Sequence, residues 1–72
     1  MNNAEDKARQ RIKSIQVAVD IESAEGSYDL AWGYLLALQD FDLITEDQKN
    51  ELDNEASSAK KTRIAELKKK KR

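Results

Sequence analysis

The sequence predicts an all-α fold, a small three-helix unit with a basic C-terminal helical extension. Three observations carry this reading. The chain has no proline and only two glycines, Gly26 and Gly33, so the punctuation of a sheet with tight turns is missing. Apolar residues recur at three- and four-residue spacing in three successive stretches. The segment Thr45-Glu46-Asp47-Gln48 spells a helix start, a threonine followed three residues later by a glutamine that can reach back to it.

Helices are expected over about 4–24, 28–41 and 46–70. The first opens with Glu5 and Asp6, which suit the positive end of the helix dipole. Ala8, Ile12, Ile15 and Val19 form one stripe, and Val17, Ile21 and Ala24 a second, nearly opposite one. Residues 15–21 also admit a strand, because Ile15, Val17, Val19 and Ile21 alternate with Gln16, Ala18 and Asp20. No second alternating run exists to pair with it, so that strand could pair only across a dimer, and the helix is preferred. Gly26 suits a helix stop, and Ser27 the cap of the next helix.

The second helix holds most of the strongly apolar mass. Leu30, Tyr34, Ala37, Leu38 and Phe41 share one face, and Tyr28, Trp32, Leu35 and Leu36 cover much of the other. Only Asp29, Gly33 and Asp40 are left for water, and a helix this apolar is normally buried on several sides. Gly33, which costs up to about 1 kcal/mol against alanine in a helix interior, is expected to mark close packing of a neighbouring helix. Asp42 ends the helix, and Leu43 and Ile44 should fold onto the core. The third helix turns Leu52, Ala56 and Ala59 inward, followed by Arg63 and Leu67. Beyond Leu52 that face is mostly alanine, so the last turns are expected to stand free or fray.

Seventy-two residues form one small domain at most, and a chain of this size buries only about 60% of its unfolded surface. Residues 1–58 are read as the helical domain and 59–72 as a basic tail, helical or disordered. Charge is segregated along the chain. Residues 1–13 carry four cations against two acids. Residues 14–58 carry Lys49 against eleven acids. Residues 59–72 carry eight cations against Glu66. Such asymmetry bears on partners.

The function classes narrow by elimination. Cysteine and histidine are absent, which removes thiolate nucleophiles, imidazole bases, disulfides and thiolate or imidazole zinc sites. The carboxylates lie among polar neighbours, no glycine-rich phosphate loop exists, and no Ser or Thr sits in a nucleophile elbow. No enzyme activity and no cofactor are expected. Asp40, Asp42 and Glu51 fall at positions one, three and twelve of an EF-hand loop, but Ile44 and Thr45 occupy the positions that need an oxygen ligand and a glycine, so no metal is expected. No apolar run reaches the roughly 18–20 residues of a membrane helix. Residues 1–13 are polar throughout, so no secretory signal is read. The expectation is a cytoplasmic protein with no membrane and no small-molecule substrate.

What remains is surplus apolar surface. Trp32, Tyr28, Leu36, Val17 and Ile21 are the predicted interface, because three short helices cannot bury every apolar stripe and aromatics favour interfaces. The partner is expected to be a protein, either a second copy in a homodimer or a larger protein for which the chain is an adaptor or regulator. An alternative is a nucleic-acid-associated protein that binds phosphates through Lys60, Lys61, Arg63, Lys68, Lys69, Lys70, Lys71 and Arg72, with strong salt dependence and no aromatics for base stacking. A further alternative is an acidic inhibitor whose Asp and Glu residues imitate a phosphate backbone, by analogy with small phage-encoded chains.

Residues 30–52 carry a local signature: leucine-spaced Leu35 and Leu38, then Leu43, Ile44, Thr45, Glu46 and Asp47. This stretch, about a third of the chain, resembles the short C-terminal (SHOCT) domain, two short helices around such a turn, with Asp42 where the family usually has glycine. The resemblance implies an oligomerisation or interaction element and no catalytic residue.

Overall fold

A computed structural model of the chain describes residues 3–70, the side chain of residue 70 excepted. Three helices follow one another, α1 (Asn3–Gln16), α2 (Ile21–Asp40) and α3 (Glu46–Lys70), with no strand among the described residues. Arg9 of α1 meets Glu55 of α3, and Ala18 just beyond α1 meets Arg63 further along α3. These two helices therefore run parallel, and α2 returns between them. Each helix packs on both others. The bundle measures 45 × 18 × 16 Å, and α3, about 37 Å long at 1.5 Å per residue, sets its length.

The first junction differs from the sequence expectation. α1 stops at Gln16 instead of continuing to Ala24, and α2 begins at Ile21 instead of near Tyr28. Asp20 is the start signal. Its backbone is extended (φ −150°, ψ 174°), and its Oδ1 accepts the Ser23 amide N–H at 2.7 Å, satisfying one of the first-turn donors that a helix cannot pair internally. The Ala18 amide donates to the Ile15 carbonyl at 3.2 Å as the chain leaves α1. Gly26 and Ser27 therefore lie inside α2 and neither stops nor caps a helix. The alternating run that also read as a strand is the end of α1, the connection and the first residue of α2. Val17 and Val19, stiff at χ1 and weak helix formers, are exposed there at 71% and 79%.

The other two boundaries follow local chemistry that the sequence displays. At the end of α2 the Asp42 amide donates to the Gln39 carbonyl at 3.0 Å and the Leu43 amide to the Leu38 carbonyl at 2.9 Å. This is a Schellman stop, with Asp42 in the left-handed region at φ 59°. At the start of α3 the capping box is reciprocal. The Gln48 amide donates to Thr45 Oγ1 at 3.1 Å, and the Thr45 amide donates to Gln48 Oε1 at 2.8 Å.

The core is thin. Ile15, Leu35 and Leu52 are its largest fully buried side chains, joined by Ile12, Leu38 and Ile44; the rest is Ala8, Ala18, Ala24, Ala31, Ala56 and Ala59. Alanine contributes little transfer free energy but lets helix axes approach. The inner face of α2 is Ala24, Ala31, Leu35 and Leu38, so Leu38 is buried from one of the two apolar faces read from the sequence and Leu35 from the other, and the burial on several sides expected of this helix does not occur within the chain. Gly33 faces outward, and a Cβ built there meets no atom within 4 Å, so the expected close packing at Gly33 does not occur within the chain. Leu43 does not fold onto the core, whereas Ile44 does. α3 crosses residues 58 and 59 without a break and stays helical through Lys70, with Ile64 and Leu67 half-buried on its inner side. Its last turns, expected to stand free or fray, form a continuous helix as far as Lys70 and extend beyond the end of α1.

Candidate interaction surface

α2 has too much apolar circumference for two neighbours. Leu30 is 71% exposed and Phe41 76% exposed, and Leu43, in the turn that follows, is 53% exposed. At about 100° per residue, Leu30, Ala37 and Phe41 fall on one outward stripe, with exposed Gly33 beside it and half-buried Tyr34 on its α1 edge. Arg11 of α1 lies over the Tyr34 ring, 5.2 Å from its centroid. Lys7, Gln10, Arg11 and Ser14 line a shallow cavity of about 350 Å³ with Tyr34. The apolar stripe therefore has a basic, polar margin contributed by α1.

The five residues expected to form the interface are not gathered on that stripe. Trp32 remains 44% exposed, with half-buried Leu36 one turn on, along the α3 side of α2. Ile21 is half-buried at the start of α2, and Val17 lies in the α1–α2 connection. Tyr28 is engaged within the bundle. Its hydroxyl donates to Asp53 Oδ1 at 3.2 Å, and the Lys60 ammonium sits 4.5 Å from its ring centroid. Burial first, and then the Asp53 carboxylate, push the Tyr28 phenol above its ordinary range. Leu30 and Phe41, which lie on an apolar face expected to be covered and are not among the five predicted interface residues, are the large apolar side chains left most exposed on α2 and its C-cap. No local signal separates them from Ala24, Ala31 and Leu35, because all lie along one continuous helix and the core side is set by where α1 and α3 dock.

The basic set is likewise divided. Arg63 Nε donates to the Ala18 carbonyl at 2.8 Å, and its Nη1 pairs with Glu66 at 3.1 Å. With a side chain only 18% exposed, Arg63 pins the α1–α2 connection to α3. Lys60 covers Tyr28. Lys61, Lys68 and Lys69 are exposed, while the Lys70 side chain, Lys71 and Arg72 lie outside the described residues. Between α1 and α3 runs an open groove of about 750 Å³, floored by Ile12 and Ala59 and walled by Gln16, Asn54, Ser58, Thr62, Arg63 and three glutamates. Arg9 bridges the two helices beside it, pairing with Glu5 and Glu55 at 3.1 Å each. These two hydrogen-bonded carboxylates, Glu55 first, raise the Arg9 pKa further.

Among the described residues, no three acidic side chains converge to hold a metal ion. No described helix is long and apolar enough to cross a membrane. Compared with protein-family models, with curated proteins and with solved structures, the chain matches none.

Proposed function

We propose that this chain is a non-catalytic helical interaction module that works in the cytoplasm and docks through the outer face of α2. The observation that carries the reading is the pair Leu30 and Phe41, large apolar side chains left more than two-thirds exposed on the helix that also supplies Leu35 and Leu38 to the core. Single exposed apolar residues are ordinary, but a contiguous stripe with a polar margin is the pattern of a docking surface. The oligomerisation element implied by the resemblance over residues 30–52 points the same way. A photo-crosslinking amino acid at position 30 or 41, with position 50 on α3 as control, tests this in the cells that produce the protein. Protein adducts from 30 and 41 but not from 50 are expected. Their absence from both face positions, with the chain folded and abundant, refutes the reading.

A second reading, phosphate binding along the end of α3, is favoured by the exposure of Lys61, Lys68 and Lys69. It works with fewer free cations than the composition suggests, because Lys60 and Arg63 are engaged in the bundle. An electrophoretic shift at low salt that vanishes on removal of residues 64–72 would support it, and no shift at low salt would remove it.

A further inference from the structure

We propose that the occupant of the α2 face is a second copy of the same chain, its α2 lying parallel to the first across a two-fold axis that runs along the helices. The proposal rests on the interaction reading above and names its partner. Three observations argue for it.

The first is charge. α2 has four acids, Glu22, Glu25, Asp29 and Asp40, and no Lys or Arg. On a helical wheel Glu22, Asp29 and Asp40 run along one edge of the Leu30–Ala37–Phe41 stripe. The opposite edge is the α1 side, where Arg11 covers Tyr34 and Lys7 lies one turn away. A two-fold axis parallel to the helices turns the basic edge of each copy onto the acidic edge of the other. An antiparallel two-fold sets acids against acids and bases against bases, so charge selects the parallel arrangement. The levels also agree. α1 runs opposite to α2, and Arg11 is level with Tyr34, so Lys7 is level with residue 38, about 3 Å along the axis from Asp40 at 1.5 Å per residue. In the parallel pair that Asp40 is the partner copy's.

Area is the second. Taking about 200 Å² for a fully exposed large side chain, the exposures of Leu30, Phe41 and Leu43 correspond to roughly 400 Å² of apolar surface. With apolar area forming about three-fifths of an interface, each copy would bury about 650–700 Å². The total, roughly 1,300–1,400 Å², falls within the range of specific, stable interfaces.

Gly33 is the third. A glycine in a helix interior is unfavourable, and no part of its own chain approaches it. Gly26, Leu30, Gly33 and Ala37 follow the alternating four- and three-residue spacing of a coiled-coil seam. With Gly33 beside the stripe on its acidic side and Ala37 one turn on, no side chain bulkier than a methyl separates the two α2 backbones there, and they can approach closely while Leu30 and Phe41 pair at either end.

Sedimentation equilibrium of the full chain from 1 to 200 µM is the first test. The expectation is a monomer–dimer equilibrium built on the 8.2 kDa chain. Leu30→Glu should weaken it about 100-fold, a hot-spot effect, with helicity by circular dichroism unchanged because Leu30 contributes nothing to the core. Lys7→Glu and Asp40→Lys should each weaken it about three- to tenfold at low salt, and the double variant should regain most of the loss. The chain has no cysteine, so Ala37→Cys is a clean reporter: parallel seams place the two thiols together and an oxidised dimer forms, while Asn50→Cys on α3 does not cross-link. A monomer at 200 µM, a dimer indifferent to Leu30→Glu, or a dimer that Ala37→Cys fails to cross-link each overturns the proposal. A monomer whose positions 30 and 41 still cross-link to another polypeptide in cells removes the second copy but leaves the interaction reading standing; a monomer with no adducts removes both.

Discussion

Arg63 holds the α1–α2 connection against α3, so its loss should destabilise the fold where loss of a neighbouring lysine does not. The perturbation is Arg63→Ala, compared with Lys61→Ala two residues away. Arg63 donates a charge-assisted hydrogen bond to the Ala18 carbonyl at 2.8 Å from a side chain that is 18% exposed. Hydrogen bonds to charged groups contribute about 1.5–3 kcal/mol, and partial exposure puts this one near the lower half of that range. The pair with Glu66, itself 54% exposed, adds at most about 0.5 kcal/mol. Losing the aliphatic stem from the groove between α1 and α3 exposes further apolar surface. The sum is about 2 kcal/mol, which for a domain of this size lowers the melting temperature by roughly 8–15 °C. Lys61 is exposed and should fall within about 0.5 kcal/mol of the parent. Urea unfolding followed at 222 nm, at one fixed protein concentration so that association does not enter, measures both. Equal midpoints for Arg63→Ala and Lys61→Ala would refute the argument that Arg63 holds the α1–α2 connection, and would return it to the pool of cations free for phosphate.

Three further outcomes follow from local geometry. Asp42→Gly should stabilise the fold by up to about 1 kcal/mol, since Asp42 occupies the left-handed region at φ 59° where a side chain is disfavoured; an unchanged or lower urea midpoint would count against the Schellman assignment. Leu52→Ala should cost about 2–5 kcal/mol, because Leu52 is 1% exposed in a core otherwise rich in alanine, and a cooperative transition within 1 kcal/mol of the parent would show that the core collapses around the gap. Asp20 is held below the ordinary carboxylate range, chiefly by the hydrogen bond from the Ser23 amide and then by the Ser23 side chain. A lowered folded pKa means that its contribution is present above the unfolded value of about 4 and is lost as pH falls through the folded value. Asp20→Asn keeps a capping oxygen but cannot titrate, so its urea midpoint should fall less steeply than the parent's between pH 4 and pH 2; parallel acid limbs would remove Asp20 as the cap.

The helical class, the number of helices, the start of α3 and the line Ala8–Ile12–Ile15 on α1 are legible from the residues alone. Each rests on interactions within a few residues: Thr45 and Gln48 close their own box, and a three- to four-residue spacing defines a face wherever that helix docks. The α1–α2 junction was legible in principle from Asp20 and Ser23, but an apolar run through Val17 and Val19 matched helix and strand periods alike and hid it. Which side of α2 is core depends on packing between helices. Its apolar residues encircle the helix, so pattern alone cannot rank Leu30 against Leu35. The choice falls to where α1 and α3 dock, and they dock on the alanine line of Ala24 and Ala31, where small side chains let axes come close. Once that side is taken, Leu30, Gly33, Ala37 and Phe41 are turned to the outside, since among the described residues only α1 and α3 pack against α2.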